Sequence, residues 1–186
     1  MVSKHCGIDY SLTSPAICSY EGGDRDCFSS YKILCLTNNK KGKKSIEALG
    51  LDNIEVVWNP IIENQQERYE FIADHFMNFI KRNSVKLTYL EDYAFRAAGR
   101  VFHIGENAGL LKYKLWKEGI DTILVPPTVL KKFATTKGNA NKNKMYESFL
   151  QKTGTNFGIE EGKDVSNPHS DIVDAFFLCR MGTKIT

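Results

Sequence analysis

The chain has 186 residues, 42% of them hydrophobic and 11% aromatic, which is enough apolar material for the core of one domain and too much for a disordered polymer. Its 25 basic and 22 acidic residues leave a net charge of +3, too small by itself to argue for a polyanionic partner.

Residues 5–10 read as a strand, followed by a turn at Ser11-Leu12-Thr13-Ser14. Residues 15–20 and 29–37 are two further strands, rich in Ile, Tyr and Cys, joined by the turn Glu21-Gly22-Gly23-Asp24. Residues 38–53 form a basic, glycine-containing connection with at most one helical turn, and 54–58 a short strand. A helix is predicted over 63–82, where Tyr69, Ile72, Phe76, Phe79 and Ile80 recur at three- and four-residue spacing. Residues 87–93 give a strand ending in acidic residues, 107–118 a second helix stopped by Gly119, and 120–125 a strand closed by Pro126-Pro127. A helical turn over 128–134, a basic loop over 135–141, a helix over 142–152 and a last helix over 170–180 complete the chain. Strands first, then alternating helices and strands, predict one α/β domain over residues 1–186, with a mixed sheet that opens on three antiparallel strands and carries helices on both faces.

The five cysteines contain no Cys-x-x-Cys pair and no zinc-ligand spacing, and their odd number fits reduced thiols better than a disulfide framework. No apolar run is long enough to span a bilayer, and the polar start leaves no room for a signal peptide, so a cytoplasmic protein without membrane contact is expected. The positive charge is unevenly spread. Between Lys112 and Lys144, eight lysines face only Glu118 and Asp121, a local balance of +6, and Lys40, Lys41, Lys43 and Lys44 form a second cluster. Such clusters suit phosphate contacts, although a solvated surface produces them too.

Four carboxylates fit a bland core poorly. Asp9 ends the first strand; alone it reads as a turn former. Glu91 and Asp92 end a later strand, where alternation lets only one share the face of Leu87 and Tyr89. Asp171 and Asp174, three residues apart, project from one side of the last helix. That helix is apolar nearly all round and should be buried. Two buried carboxylates repel each other and lose solvation unless a cation neutralises them. The helix dipole and water would account for Asp171 and less well for Asp174. Together the four suit hard divalent cations, since magnesium prefers oxygen ligands and two ions about 3.5–4 Å apart can drive phosphodiester hydrolysis.

The segments Gly7-Ile8-Asp9-Tyr10-Ser11, Tyr89-Leu90-Glu91-Asp92-Tyr93, Gly105-Glu106-Asn107-Ala108-Gly109, Val125-Pro126-Pro127 with Val129-Leu130-Lys131-Lys132, Gly138-Asn139-Ala140-Asn141-Lys142 and Asn167 to Ala175 resemble, in order and spacing, the RuvC family of Holliday-junction resolvases. The resemblance implies a ribonuclease-H-like fold and a homodimer that hydrolyses four-way junctions and related branched DNA. It also implies two magnesium (or manganese) ions held by Asp9, Glu91, Asp171 and Asp174. Lys131 and Lys142 match family lysines near the scissile phosphate. Tyr93 and Phe95 stand where the family places an aromatic near the junction centre, and Lys132, Lys137 and Lys144 fall in its basic segment. The chain departs from the bacterial branch in having Tyr10-Ser11 after the first Asp and in the basic 38–53 insertion, which suggests a divergent relative of phage or viral type. Alternatives are a nuclease of the same fold acting on other branched or RNA-containing duplexes, a non-catalytic DNA-binding module, and an ATPase of related topology. The last would need glycine-rich phosphate loops that the chain lacks.

Overall fold

The structure, a computed structural model, describes residues 4–92, 101–160 and 162–183. Six strands form one sheet: β1 (His5–Asp9), β2 (Ala16–Tyr20), β3 (Tyr31–Thr37), β4 (Ile54–Trp58), β5 (Leu87–Glu91) and β6 (Asp121–Val125), in the order β4-β3-β2-β1-β5-β6. The first three are antiparallel neighbours; β4 joins β3, β5 joins β1 and β6 joins β5 in parallel. Only β2 therefore runs against the rest, and the carboxyl ends of five strands share one edge of the sheet. This is the expected mixed sheet.

Helices cover both faces. On one lie α2 (Gln65–Arg82) and α3 (Val101–Lys117), whose Ile72, Phe76, Phe79, Ile80 and Leu111 pack on Cys6, Ile8, Ile17 and Leu34. On the other lie α1 (Lys40–Glu47), α4 (Pro127–Thr135), α5 (Lys142–Thr153) and α6 (His169–Gly182), around a core containing Phe28, Tyr31, Phe149, Phe157 and Phe176. None of these helices is long and apolar enough to cross a membrane.

Three elements differ from the sequence reading. Residues 38–53 contain an eight-residue helix rather than a loop with one turn. Asn39 caps it by accepting from the backbone N–H groups of Lys41 and Gly42, while its apolar face reduces to buried Gly42 and Ile46, too little to show as periodicity among four lysines. The turn expected over 128–134 is a nine-residue helix with proline in its first turn. The helix expected from Asn107 is already formed at Val101, where the described residues resume.

As its composition requires, α6 is the central buried helix. It lies on β1 at Gly7, where a Cβ atom would stand 2.1 Å from the Cys179 backbone nitrogen and 2.4 Å from the Ala175 carbonyl oxygen. At its other end Gly182 leaves room for His5 and Tyr89, which a Cβ would meet at 2.4 and 2.6 Å. Two missing side chains thus let the last helix seat directly on the strands.

Candidate metal centre

Asp9 is the last residue of β1 and Glu91 the last of β5; the parallel register Ile8 to Leu90 sets them side by side at the sheet edge. From above, α6 brings Asp174 onto them. One carboxylate oxygen from each of Asp9, Glu91 and Asp174 lies within 4.8 Å of the other two. These are three of the four carboxylates singled out in the sequence, joined from segments more than eighty residues apart. Asp92 is not among them, as strand alternation requires.

Asp171 stands one helical turn earlier and is buried. Its Oδ1 accepts from Asn167 Nδ2 at 3.2 Å, and its Oδ2 is buried with no hydrogen-bond partner. The charge of Asp171 is felt at Asp9.

The electrostatics follow from crowding. Asp9, Glu91 and Asp174 keep some solvent access at the mouth of the site but are surrounded by protein on most sides. Burial, then the charges of Asp171 and Asp174, push Asp9 well above the ordinary carboxylate range. Burial, then Asp9 and Asp174, push Glu91 up to about 9. Burial raises Asp171 to about 7 and Asp174 to about 6, with Lys142 opposing both shifts. Lys131 opposes the rise of Glu91 and Asp174, so both lysines named from the sequence act on this cluster.

Lys142, the first residue of α5, donates to Asn167 Oδ1 at 2.5 Å and Ser170 Oγ at 3.1 Å, and Ser170 Oγ donates to Asn167 Oδ1 at 2.9 Å. The Asn167 amide therefore bridges the ammonium and the Asp171 carboxylate. Asn167 and Ser170 belong to the motif that carried the resemblance, but nothing in the sequence assigned them a role; an asparagine four residues ahead of a helical acid is the signal that was there to use. Lys132, Lys137 and Lys144 are exposed, and the last two line a hollow of about 420 Å³ between α4 and α5 together with Lys152. Tyr93 and Phe95 lie outside the described residues.

Strand order, the antiparallel opening and a buried acidic helix laid across β1 define a ribonuclease-H-like domain. Within that class the fold is that of RuvC. The chain is similar to the structure of RuvC from Thermus thermophilus (14% identity, TM-score 0.59, 95% of this chain and 91% of that one). It is similar to T. thermophilus RuvC in complex with a Holliday junction substrate (15%, TM-score 0.62, 97% of each chain). It is also similar to the yeast mitochondrial Holliday junction resolvase Ydc2 (13%, TM-score 0.54, 99% of this chain and 81% of that one). No family model matches the sequence, and no curated protein matches it by sequence.

The residues present fit a hard divalent cation. The donor set is all carboxylate oxygen, the groups are too crowded to be charged together without a counter-ion, and one buried oxygen of Asp171 is orphaned.

Proposed function

We propose that the protein is a structure-selective DNA endonuclease that resolves four-way junctions and related branched DNA by metal-dependent phosphodiester hydrolysis. The observation that carries this reading is the convergence of Asp9, Glu91 and Asp174, with oxygens within 4.8 Å, at the strand edge of a fold shared with solved resolvases. Asp9, Glu91 and Asp174, with Asp171 beside Asp9, would hold two magnesium or manganese ions. When bound, such ions activate water and stabilise the leaving oxygen. The chain's own part is to fix the ligands on rigid elements and to bring positive charge to the phosphate. Lys131 and Lys142 face the cluster from α4 and α5, where an ammonium can offset charge that develops on the phosphodiester. Exposed Lys132, Lys137 and Lys144 would hold the backbone further out.

A homodimer belongs to this reading, because two sites related by a two-fold axis match a substrate with approximate two-fold symmetry. The outer face of α3 supports it: Phe102, Tyr113 and Trp116 are exposed on one side of the helix, and Gly105 and Gly109 leave open space beside them. Ile123 and Leu124 on the edge strand β6 are exposed as well, and the outer face of α3 would be the surface that a second copy covers.

A non-catalytic DNA-binding module would gain nothing from crowded carboxylates opposing phosphate. The test is cleavage of a labelled four-way junction, a fork, an RNA–DNA hybrid and linear duplex, with and without magnesium. The junction should be cut at paired sites, only with metal. Asp174→Asn should bind the junction yet cut it more than about 100-fold more slowly, beyond the loss seen when only an outer partner of a metal ligand is removed. Equal cutting of linear duplex would overturn the selectivity, and preference for the hybrid would favour a ribonuclease.

A further inference from the structure

We propose that α1 is a second phosphate-binding flank of this site, separate from α4 and α5, with Lys40, Lys41 and Lys44 gripping the DNA backbone. The inference rests on the reading of the protein as a branched-DNA nuclease. It concerns the 38–53 insertion, which the catalytic assignment leaves without a role.

Position is the first ground. β3 ends at the same sheet edge as Asp9 and Glu91, and α1 starts three residues later. The register sets Cys35 of β3 level with Asp9, two strand spacings or on the order of 10 Å away, and α1 begins five residues beyond Cys35. α1 packs on β3 and β4, on the face of the sheet where α6 lies over β1 and β2 and where α4 and α5 pack against α6, so two separate basic elements reach the segment that carries the acidic pair.

Attachment is the second. Asn39 Nδ2 donates to the Asn167 carbonyl at 3.1 Å, and Ser45 Oγ and His169 Nε2 share a hydrogen bond at 3.3 Å. Gly42 is buried against Pro168, whose Cδ would stand 2.4 Å from a Cβ there. α1 is therefore fastened to the three residues that lead into Asp171.

Charge is the third. Lys43 turns inward, pairing with Glu47 and donating to the Val56 carbonyl at 3.3 Å. Lys40, Lys41 and Lys44 are exposed and make no ion pair among the described residues. The first turn of α1 holds no acidic residue, so two lysines occupy the end of the helix where its dipole disfavours cations. Helix stability does not explain that placement; a polyanion laid across it does.

The test uses Asp174→Asn as the parent, so that a four-way junction can be titrated without being cut. Lys40, Lys41 and Lys44 are replaced by alanine in one variant. In a control, Lys32, Lys86 and Lys117, at the opposite sheet edge, are replaced instead. The logarithm of the binding constant falls with the logarithm of salt by about 0.9 for each phosphate contact. The α1 variant should flatten that slope by roughly two to three and keep the parent's thermal midpoint, while the control leaves the slope unchanged. An unaltered slope in the α1 variant, or equal flattening in both, overturns the inference while the nuclease reading stands. A parent that binds no branched DNA would overturn the nuclease reading itself.

Discussion

Asp171 and Lys142 do not meet directly; Asn167 stands between them, donating to one and accepting from the other. A neutral bridge fixes the carboxylate and the ammonium relative to each other without pairing away the charge of either. Replacing Asn167 by alanine should therefore raise the magnesium concentration for half-maximal cleavage by about 10–100-fold, while junction binding in the absence of metal changes little; titrating metal against initial rate measures both. The raised carboxyls set a pH dependence with a definite sign. Asp and Glu titrate near 3.9 and 4.3 in an unfolded chain, whereas here Asp174 and Asp171 are raised to about 6 and 7 and Glu91 to about 9. The folded state thus binds more protons, so the metal-free protein is most stable below about pH 4 as far as these groups are concerned, and loses stability as pH rises towards 9. Thermal midpoints measured from pH 5 to 9 should fall without metal. Magnesium should restore more at pH 8.5 than at pH 5.5, and Glu91→Gln should flatten the metal-free decline. A midpoint that rises with pH would contradict the crowding.

At the scale of elements, the site exists because α6 seats on β1 without a spacer. Gly7 is where the two backbones meet, and any side chain there must push the helix outward. Gly7→Ala should cost about 1–3 kcal/mol or more, the range for overpacking a dense core, and should weaken metal binding by lifting Asp174 from Asp9 and Glu91. Chemical denaturation and calorimetric titration of magnesium would show both; a variant as stable as its parent would mean that α6 can slide. The sequence showed most of these elements. α2 was legible through its apolar spacing, and α6 through being apolar on every side. α1 was not, because its burial is confined to a glycine and one isoleucine; its cap, Asn39, carried the signal instead.

For the whole molecule, the exposed aromatics of α3 bear on assembly. Trp116 is 74% and Phe102 77% exposed, a large apolar area to leave in water. Trp116→Glu should convert a dimer to a monomer in light scattering and should replace paired cuts in a junction by single nicks, with the metal site intact. An unchanged mass would move the interface elsewhere. The basic elements belong to the same scale, since α1 and α4–α5 are far apart in sequence and come together only through the segment that leads into α6.

Periodicity, charge and the four isolated acids in the sequence were enough to determine an α/β domain, its buried last helix and a demand for cations, because each of those follows from local spacing and from the cost of burying charge. Tertiary structure alone decided which carboxylates converge, that Asn167 joins Lys142 to Asp171, and that α1 is fastened to the residues leading into Asp171. Those are distances between segments remote along the chain, fixed by strand register and by the close approach at Gly7, and no local pattern encodes them.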